Sequence, residues 1–219
     1  GSIRDPFGNL LIDASGYGPE KGAGVPYPED ALTRKNKSEA HLQQLGVHVL
    51  RSLPPVVGEV EVKLRDAEEV ARRALGIYVA ALRAESLSTN QEIPPENIKI
   101  RLPIGFAALT PEETAFMQSK APDKQQIITH IWGYEALLIL LWALKLAPSL
   151  PDPTEICNVP ALGSVILEND EEKLIAIAKL RPTSEILDAL DLHFRIHWAV
   201  REASLNSQIP PAGFDASVV

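Results

Sequence analysis

Apolar positions along the chain recur mostly at helical spacing, and they predict a succession of helices. Asp66-Ala67-Glu68-Glu69 has the form of a helix start, with Asp66 as N-cap and Glu69 reaching back. Behind it Val70, Ala74, Ile77, Tyr78, Ala81 and Leu82 repeat at three to four residues, which predicts a helix to about Ser86. Thr110-Pro111-Glu112-Glu113 marks another start, with proline at the first helical position. Lys124 to Leu146 is apolar nearly all round, as a central core helix would be. Shorter helices are expected at 38–45, closed by Gly46, at 159–168 and at 171–179. A long one is expected from Ser184 to Asn206, with Pro210-Pro211 as a stop beyond it. Strict alternation in Val60-Glu61-Val62-Lys63-Leu64 predicts a strand, the one small β element. Asn97 to Leu102 also alternates, but Pro94-Pro95 ahead of it could equally open a helix, and both readings stand.

The expected fold is therefore mostly α: a single helical domain over 33–219, multi-helix and bundle-like. Its centre would be the 124–146 helix packed on the 184–206 helix. Residues 1–32, rich in glycine and proline, are expected to form a flexible arm. Gly22-Ala23-Gly24 has no preceding strand and no Gly-Lys-Ser/Thr after it, so it is no phosphate loop. No solenoid-type repeat is visible.

The last predicted helix carries the most unusual pattern. On a helical wheel His193, His197 and Arg201 fall within the apolar arc of Ile186, Leu187, Leu190, Phe194, Trp198, Val200 and Leu205. Asp188, Asp191, Arg195 and Glu202 form a separate stripe, which places Asp191 and Arg195 as a surface ion pair four residues apart. Polar groups on a core-facing stripe need partners. Glu135, on an apolar face of the central helix with Tyr134 and Trp142 nearby in sequence, is the best nominee.

Three readings are open. Glu135, His193, His197 and Arg201 form a buried structural network, or they wall a pocket for a small acid or metabolite, or they hold a metal or an acid–base site. Two histidines four apart on a helix suit zinc, but Phe194 stands where the zinc-peptidase pattern has glutamate. His193, His197 and Glu135 are therefore weak metal candidates, and no cofactor is expected. Trp142, Trp198 and Tyr134 complete the candidate set as groove or core aromatics, and Trp132 reads the same way. His41, His48 and His130 read as ordinary surface or capping residues. Ser38, Ser164 and Ser184 lack a nucleophile elbow.

Composition narrows the partners. The net charge of −8 over 219 residues, with no basic run, argues against nucleic acid and against anionic membrane surfaces. Ile127 to Leu146 is long enough to raise the question of a membrane span, but His130, Glu135 and Lys145 favour a buried helix. Cys157 is the only cysteine, so no intramolecular disulfide forms, and it reads as a small buried hydrophobe. Gly1-Ser2 reads as the scar of a removed tag, which leaves localisation weakly constrained; a cytoplasmic protein is expected.

Several blocks resemble one bacterial family, catalogued as domain of unknown function 4272. They are Arg34-Lys35-x-Lys37-Ser38-Glu39, Leu64-Arg65-x-x-Glu68-Glu69-Val70-Ala71-Arg72-Arg73-Ala74, Tyr134-Glu135-Ala136-Leu137 with Leu141-Trp142-Ala143-Leu144, and Ile186-Leu187-Asp188 through His193-Phe194-Arg195-x-His197-Trp198-Ala199-Val200-Arg201. Pro211-Ala212-Gly213-x-Asp215-x-x-Val218-Val219 is similar to the family's closing stretch, which there continues into a segment like Glu-Arg-His-x-Ala-Leu-Asn-Trp. The resemblance implies a largely helical intracellular domain and brings no activity, catalytic residue or ligand.

The leading expectation is a non-enzymatic module that binds a protein or a small acidic ligand. The alternative is a metal-assisted or acid–base hydrolase using Glu135, His193 and His197. A third, narrower expectation is an immunity- or antitoxin-like partner protein. Oligomeric state is left open.

Overall fold

A computed structural model describes residues 2–12, 24–151 and 154–205. The Gly22-Ala23 pair, the Pro210-Pro211 stop and the 211–219 stretch lie outside the described residues. The architecture is mostly α, with one small antiparallel sheet of β1 (Ile3–Arg4) and β2 (Leu10–Ile12). That sheet lies within the expected arm. Its turn is built by Asp5, whose carboxylate accepts from the backbone N–H groups of Phe7 and Asn9.

The helices, in order, are α1 (Glu29–Gln44), α2 (Ala67–Ser88), α3 (Pro95–Arg101), α4 (Pro103–Ala107), α5 (Pro111–Gln118), α6 (Lys124–Ile131), α7 (Gly133–Ala143), α8 (Val159–Leu167), α9 (Glu171–Ile177) and α10 (Thr183–Leu205). The predicted starts hold where a cap sets them. Asp66 accepts from the Glu69 N–H at 2.8 Å, and Thr110 and Glu113 form a reciprocal capping box. Glu69 does not reach back, because its carboxylate is bonded to Arg65.

Two expectations are corrected and one open reading is resolved. Residues 60–64 form no strand: Glu59–Glu61 is a 3-10 turn with Val60 89% exposed, so the alternation has no sheet to face. The expected 38–45 helix begins nine residues earlier, at Glu29. Its buried positions include Arg34 and Ser38 beside Ala31 and Leu42, and the polar members of that face mask its periodicity. The 97–102 alternation resolves as helix: Ile98 and Leu102, four apart, are buried, while Ile100 is 81% exposed.

The centre of the molecule is α2, not the 124–146 segment. Helices α3, α4, α5, α6, α7 and α9 all pack on it. Close approach rests on small residues. A Cβ on Gly76 would stand 2.8 Å from the Ala108 carbonyl oxygen, and one on Gly105 would stand 2.8 Å from that of Leu75. The 124–146 segment is interrupted at Trp132 and lies along α2 as α6 and α7. By length and composition alone, Lys124–Ala143 is long and apolar enough to cross a membrane. Two arginines close neighbouring helices. Arg83 donates to the carbonyls of Phe116 and Ser119 at the end of α5, and Arg181 donates to those of Trp142, Ala147 and Pro148 at the end of α7.

Helix α10 packs against α1, and a separate apolar cluster joins them: Leu42, Val47, Val49, Ile196, Ala199 and Val200. The buried face of α10 is Leu187, Asp191, Arg195, Ile196, Ala199, Val200 and Ala203. This overturns the expected orientation, since Leu190, Trp198 and Leu205 are exposed while Asp191 and Arg195 are sealed.

Candidate functional site

The residues nominated from sequence do not assemble into one cluster. Glu135 on α7 accepts the Cys157 N–H at 2.8 Å. His193 donates from Nδ1 to the Ala189 carbonyl at 2.7 Å, within its own helix. His197 is exposed and meets the Trp198 ring edge-on at 6.1 Å, and Arg201 is exposed one turn further on. Among the described residues, no hydrogen bond or ion pair joins any of Glu135, His193, His197 and Arg201 to another. Nor do any three of the described His, Cys, Asp and Glu side chains gather closely enough to hold a metal ion. The cause is the partner of α10: it turns its charged stripe toward α1, so the histidine stripe faces away.

That charged stripe forms a lattice. Arg195, fully buried, makes two 2.8 Å bonds to the carboxylate of Asp191, which is also fully buried. It adds bonds to Glu39 at 3.3 Å and to the Pro54 carbonyl at 3.2 Å. Arg34 on α1 bonds Asp188 at 3.1 Å and Asp30 at 3.2 Å, and Lys35 donates to the carbonyls of Arg51 and Leu53. These bonds fasten the 50–59 loop across α1 and α10. Each buried charge here has a partner, as burial requires.

A different place is open. Helices α2, α7 and α8 border a cleft of about 370 Å³ lined by Tyr78, Leu82, Glu85, Tyr134, Val159, Pro160, Gly163, Ser164, Leu167 and Glu168. Tyr78, Leu82 and Glu85 stand at i, i+4 and i+7 on α2, so one stripe of that helix forms a wall. Tyr134, 3% exposed, donates its hydroxyl to Glu85 Oε2 at 2.6 Å. The Tyr78 and Tyr134 rings meet edge to face with centroids 6.4 Å apart. Tyr78 is 2% exposed, yet its hydroxyl has no hydrogen-bond partner among the described residues. That hydroxyl points to Gly163, where an added Cβ would stand 3.6 Å from it.

Burial pushes the Tyr78 hydroxyl up to about 12, with the nearby Glu85 carboxylate adding to the effect. Burial likewise raises Tyr134 far above the usual phenol value, helped by its bond to Glu85. Behind them the Cys157 thiol is pushed up to about 12, by burial first and by Glu135 second. All three groups therefore stay protonated at neutral pH.

Of the residues nominated from sequence, Tyr134 lines this cleft. Trp142 lines another groove, with Lys37, Ser38, His41 and Leu192 among its walls, and lies under the Arg181 guanidinium at 4.8 Å. Sequence reasoning misses Tyr78 and Glu85 as site residues. Their readable signal is a glutamate seven residues after a tyrosine on the apolar face of a well-capped helix.

A family model described as a domain of unknown function (DUF4272) matches residues 34–219. The chain belongs to the DUF4272 family. No curated protein and no solved structure matches it. The DUF4272 match takes in every residue of the tyrosine cleft. It also takes in the charged lattice from Arg34 onward, leaving only Asp30 ahead of it.

Proposed function

We propose that this DUF4272 domain is a non-enzymatic module that binds a small ligand in the cleft between α2, α7 and α8. The observation that carries the reading is the Tyr78 hydroxyl, a polar atom on a buried side chain, without a partner among the described residues and standing at an open cleft. The oxygen is reached from the cleft, where a ligand can bond it, and a concave, largely apolar site with a few convergent polar groups is the usual form of a ligand pocket. The raised Tyr78, Tyr134 and Cys157 side chains favour hydrogen bonding over proton abstraction or nucleophilic attack. The hydrolase alternative draws no support from Glu135, whose Oε1 holds the Cys157 N–H, or from His197, which faces solvent.

The test is a ligand-observed NMR screen of small polar compounds against the chain and its Gly163→Leu variant, in which a branched side chain fills the cleft beside Tyr78. Compounds that bind the parent chain and lose binding to the variant support the reading. Binding that persists equally in both, or none at all, overturns the cleft as the seat. Turnover of a hydrolase substrate that disappears on Glu135→Gln would overturn the non-enzymatic half.

A further inference from the structure

We propose that the cleft between α2, α7 and α8 is a receptor for a primary alkylammonium group, carried by a free amine or by a lysine side chain. The inference rests on the ligand-binding reading above and names the chemistry of the ligand.

Acceptor oxygens converge on the cleft: the Glu85 carboxylate accepts only, and the Tyr134 and Tyr78 phenol oxygens carry lone pairs, while the Tyr78 and Ser164 hydroxyls can also donate. Tyr134 directs its O–H to Glu85 Oε2, which leaves the phenol oxygen's lone pairs free. Among the described residues the second oxygen of Glu85 has no partner, and no lysine, arginine or histidine pairs with Glu85. The Tyr78 oxygen is unpartnered among them as well, and it lies at the same wall because Tyr78 and Glu85 share one stripe of α2. A group with three N–H donors on a tetrahedral centre suits three such oxygens; a single hydroxyl brings one.

Charge selects further. The cleft is lined by two carboxylates, Glu85 and Glu168, and by no lysine or arginine among the described residues. The cation felt by Tyr78 is Arg101, an exposed residue on α3 that does not line the cleft. An anion would meet two like charges in a partly desolvated site, whereas a cation meets opposite charge.

The N-terminus of α8 lies at the cleft and by its dipole would favour an anion, but its donors are few. Pro160 has no N–H, and the Ala161 N–H is bonded to Asn158 Oδ1. The remaining walls, Leu82, Val159, Pro160 and Leu167, are apolar and suit an alkyl chain. Glu168, exposed at the rim, would face a second ammonium at the far end of a short diamine.

The experiment is a two-dimensional ¹H–¹⁵N NMR titration of the full chain with five probes: butylammonium, 1,4-diaminobutane, a blocked lysine amide, choline and butyrate. The expected result is a saturable shift of the Tyr78, Leu82, Glu85, Gly163 and Ser164 amides with at least one primary amine, the diamine binding more tightly than butylammonium. Glu85→Gln should weaken that binding about tenfold, the loss of one charge-assisted bond. Tyr78→Phe should weaken it several-fold without lowering Tm, since the hydroxyl has no partner among the described residues to lose.

Saturation by the blocked lysine but not by the free amines supports the proposal with a protein side chain as the source. Choline binding as tightly as butylammonium overturns it, because choline's cationic nitrogen has no N–H. Butyrate saturating the same amides overturns it while leaving the ligand-binding reading intact. No saturable shift with any probe overturns the proposal, and the Gly163→Leu screen then decides the broader reading separately. Unchanged amine affinity in Glu85→Gln, with the fold intact by Tm, also overturns it.

Discussion

The α2-centred core and the α1–α10 clamp are held together in opposite ways. Around α2 the contacts are apolar and close: Ala71, Ala74, Val79, Ala81 and Ala84 present small side chains along one helix, and Leu137, Leu141 and Leu144 fill against them. The clamp has only a small apolar cluster, and much of its interface is the Arg195–Asp191–Glu39 and Arg34–Asp188–Asp30 bonds. Apolar packing tolerates local change in proportion to the volume lost, whereas a paired buried charge depends on its partner being present. The two regions should therefore respond differently to substitution.

The largest expected effect is in the clamp. Arg195→Met leaves Asp191 sealed without a cation and should cost about 3–5 kcal/mol in urea unfolding. Adding Asp191→Leu should recover most of that loss, because the unpaired charge is then gone. A double variant no more stable than the single one would break the comparison. In the core, Leu137→Ala should cost about 2–5 kcal/mol, and no second substitution of a polar neighbour should restore it.

Close packing around α2 gives the next effect. Gly105→Ala puts a Cβ against the Leu75 carbonyl and should cost about 1–3 kcal/mol. Gly163→Ala meets only the Tyr78 hydroxyl at ordinary contact distance, so the helix preference for alanine should raise stability by up to about 1 kcal/mol. Thermal unfolding of the two variants side by side should give shifts of opposite sign.

A charge pair at the rim of the core sharpens the contrast with pH. Burial would raise the Glu113 carboxyl, but two bonds from Arg73 and the Thr110 N–H outweigh it and hold the group below the usual value. A depressed carboxyl stabilises the fold above its ordinary range, and that contribution disappears as pH falls through the folded value. Glu113→Gln should cost about 1.5 kcal/mol at pH 7. Its stability curve should converge on that of the parent chain as the solution is made more acidic than pH ~4. Parallel curves would show that the pair contributes no pH-dependent stability.

The smallest effect is at a helix end. Helices α1, α2 and α7 close with the same pair of reversed hydrogen bonds, and the residue in the left-handed region is Gly46, Asn90 and Lys145 in turn. Only glycine takes that conformation without strain. Lys145→Gly should gain roughly 1 kcal/mol, and Gly46→Lys should lose a similar amount.

The legible part of the sequence is local. Caps such as Asp66 and Thr110, the stop at Gly46 and the periodicity of α2 depend on neighbours within a few residues, and they appear where expected. The face of α10 is not legible, because it is set by a partner more than 140 residues away. Asp191 and Arg195 read as solvent-ready only while α1 is read as a short helix. Arg34, Ser38 and Glu39 on α1 read as polar surface for the mirror reason. Two charged faces that bury each other erase each other's hydrophobic signal. With α10 turned the wrong way, Glu135 is given histidine partners that it does not meet. The cleft is hidden for a related reason: Tyr78 counts as one more core aromatic until its hydroxyl is found without a partner.

Cys157 has a practical consequence. As the sole thiol, 8% exposed and held in its protonated form beside Glu135, it should be nearly inert toward disulfide reagents in the folded protein. Its rate of modification in the native protein would then count openings of the structure around Cys157, without any engineered label.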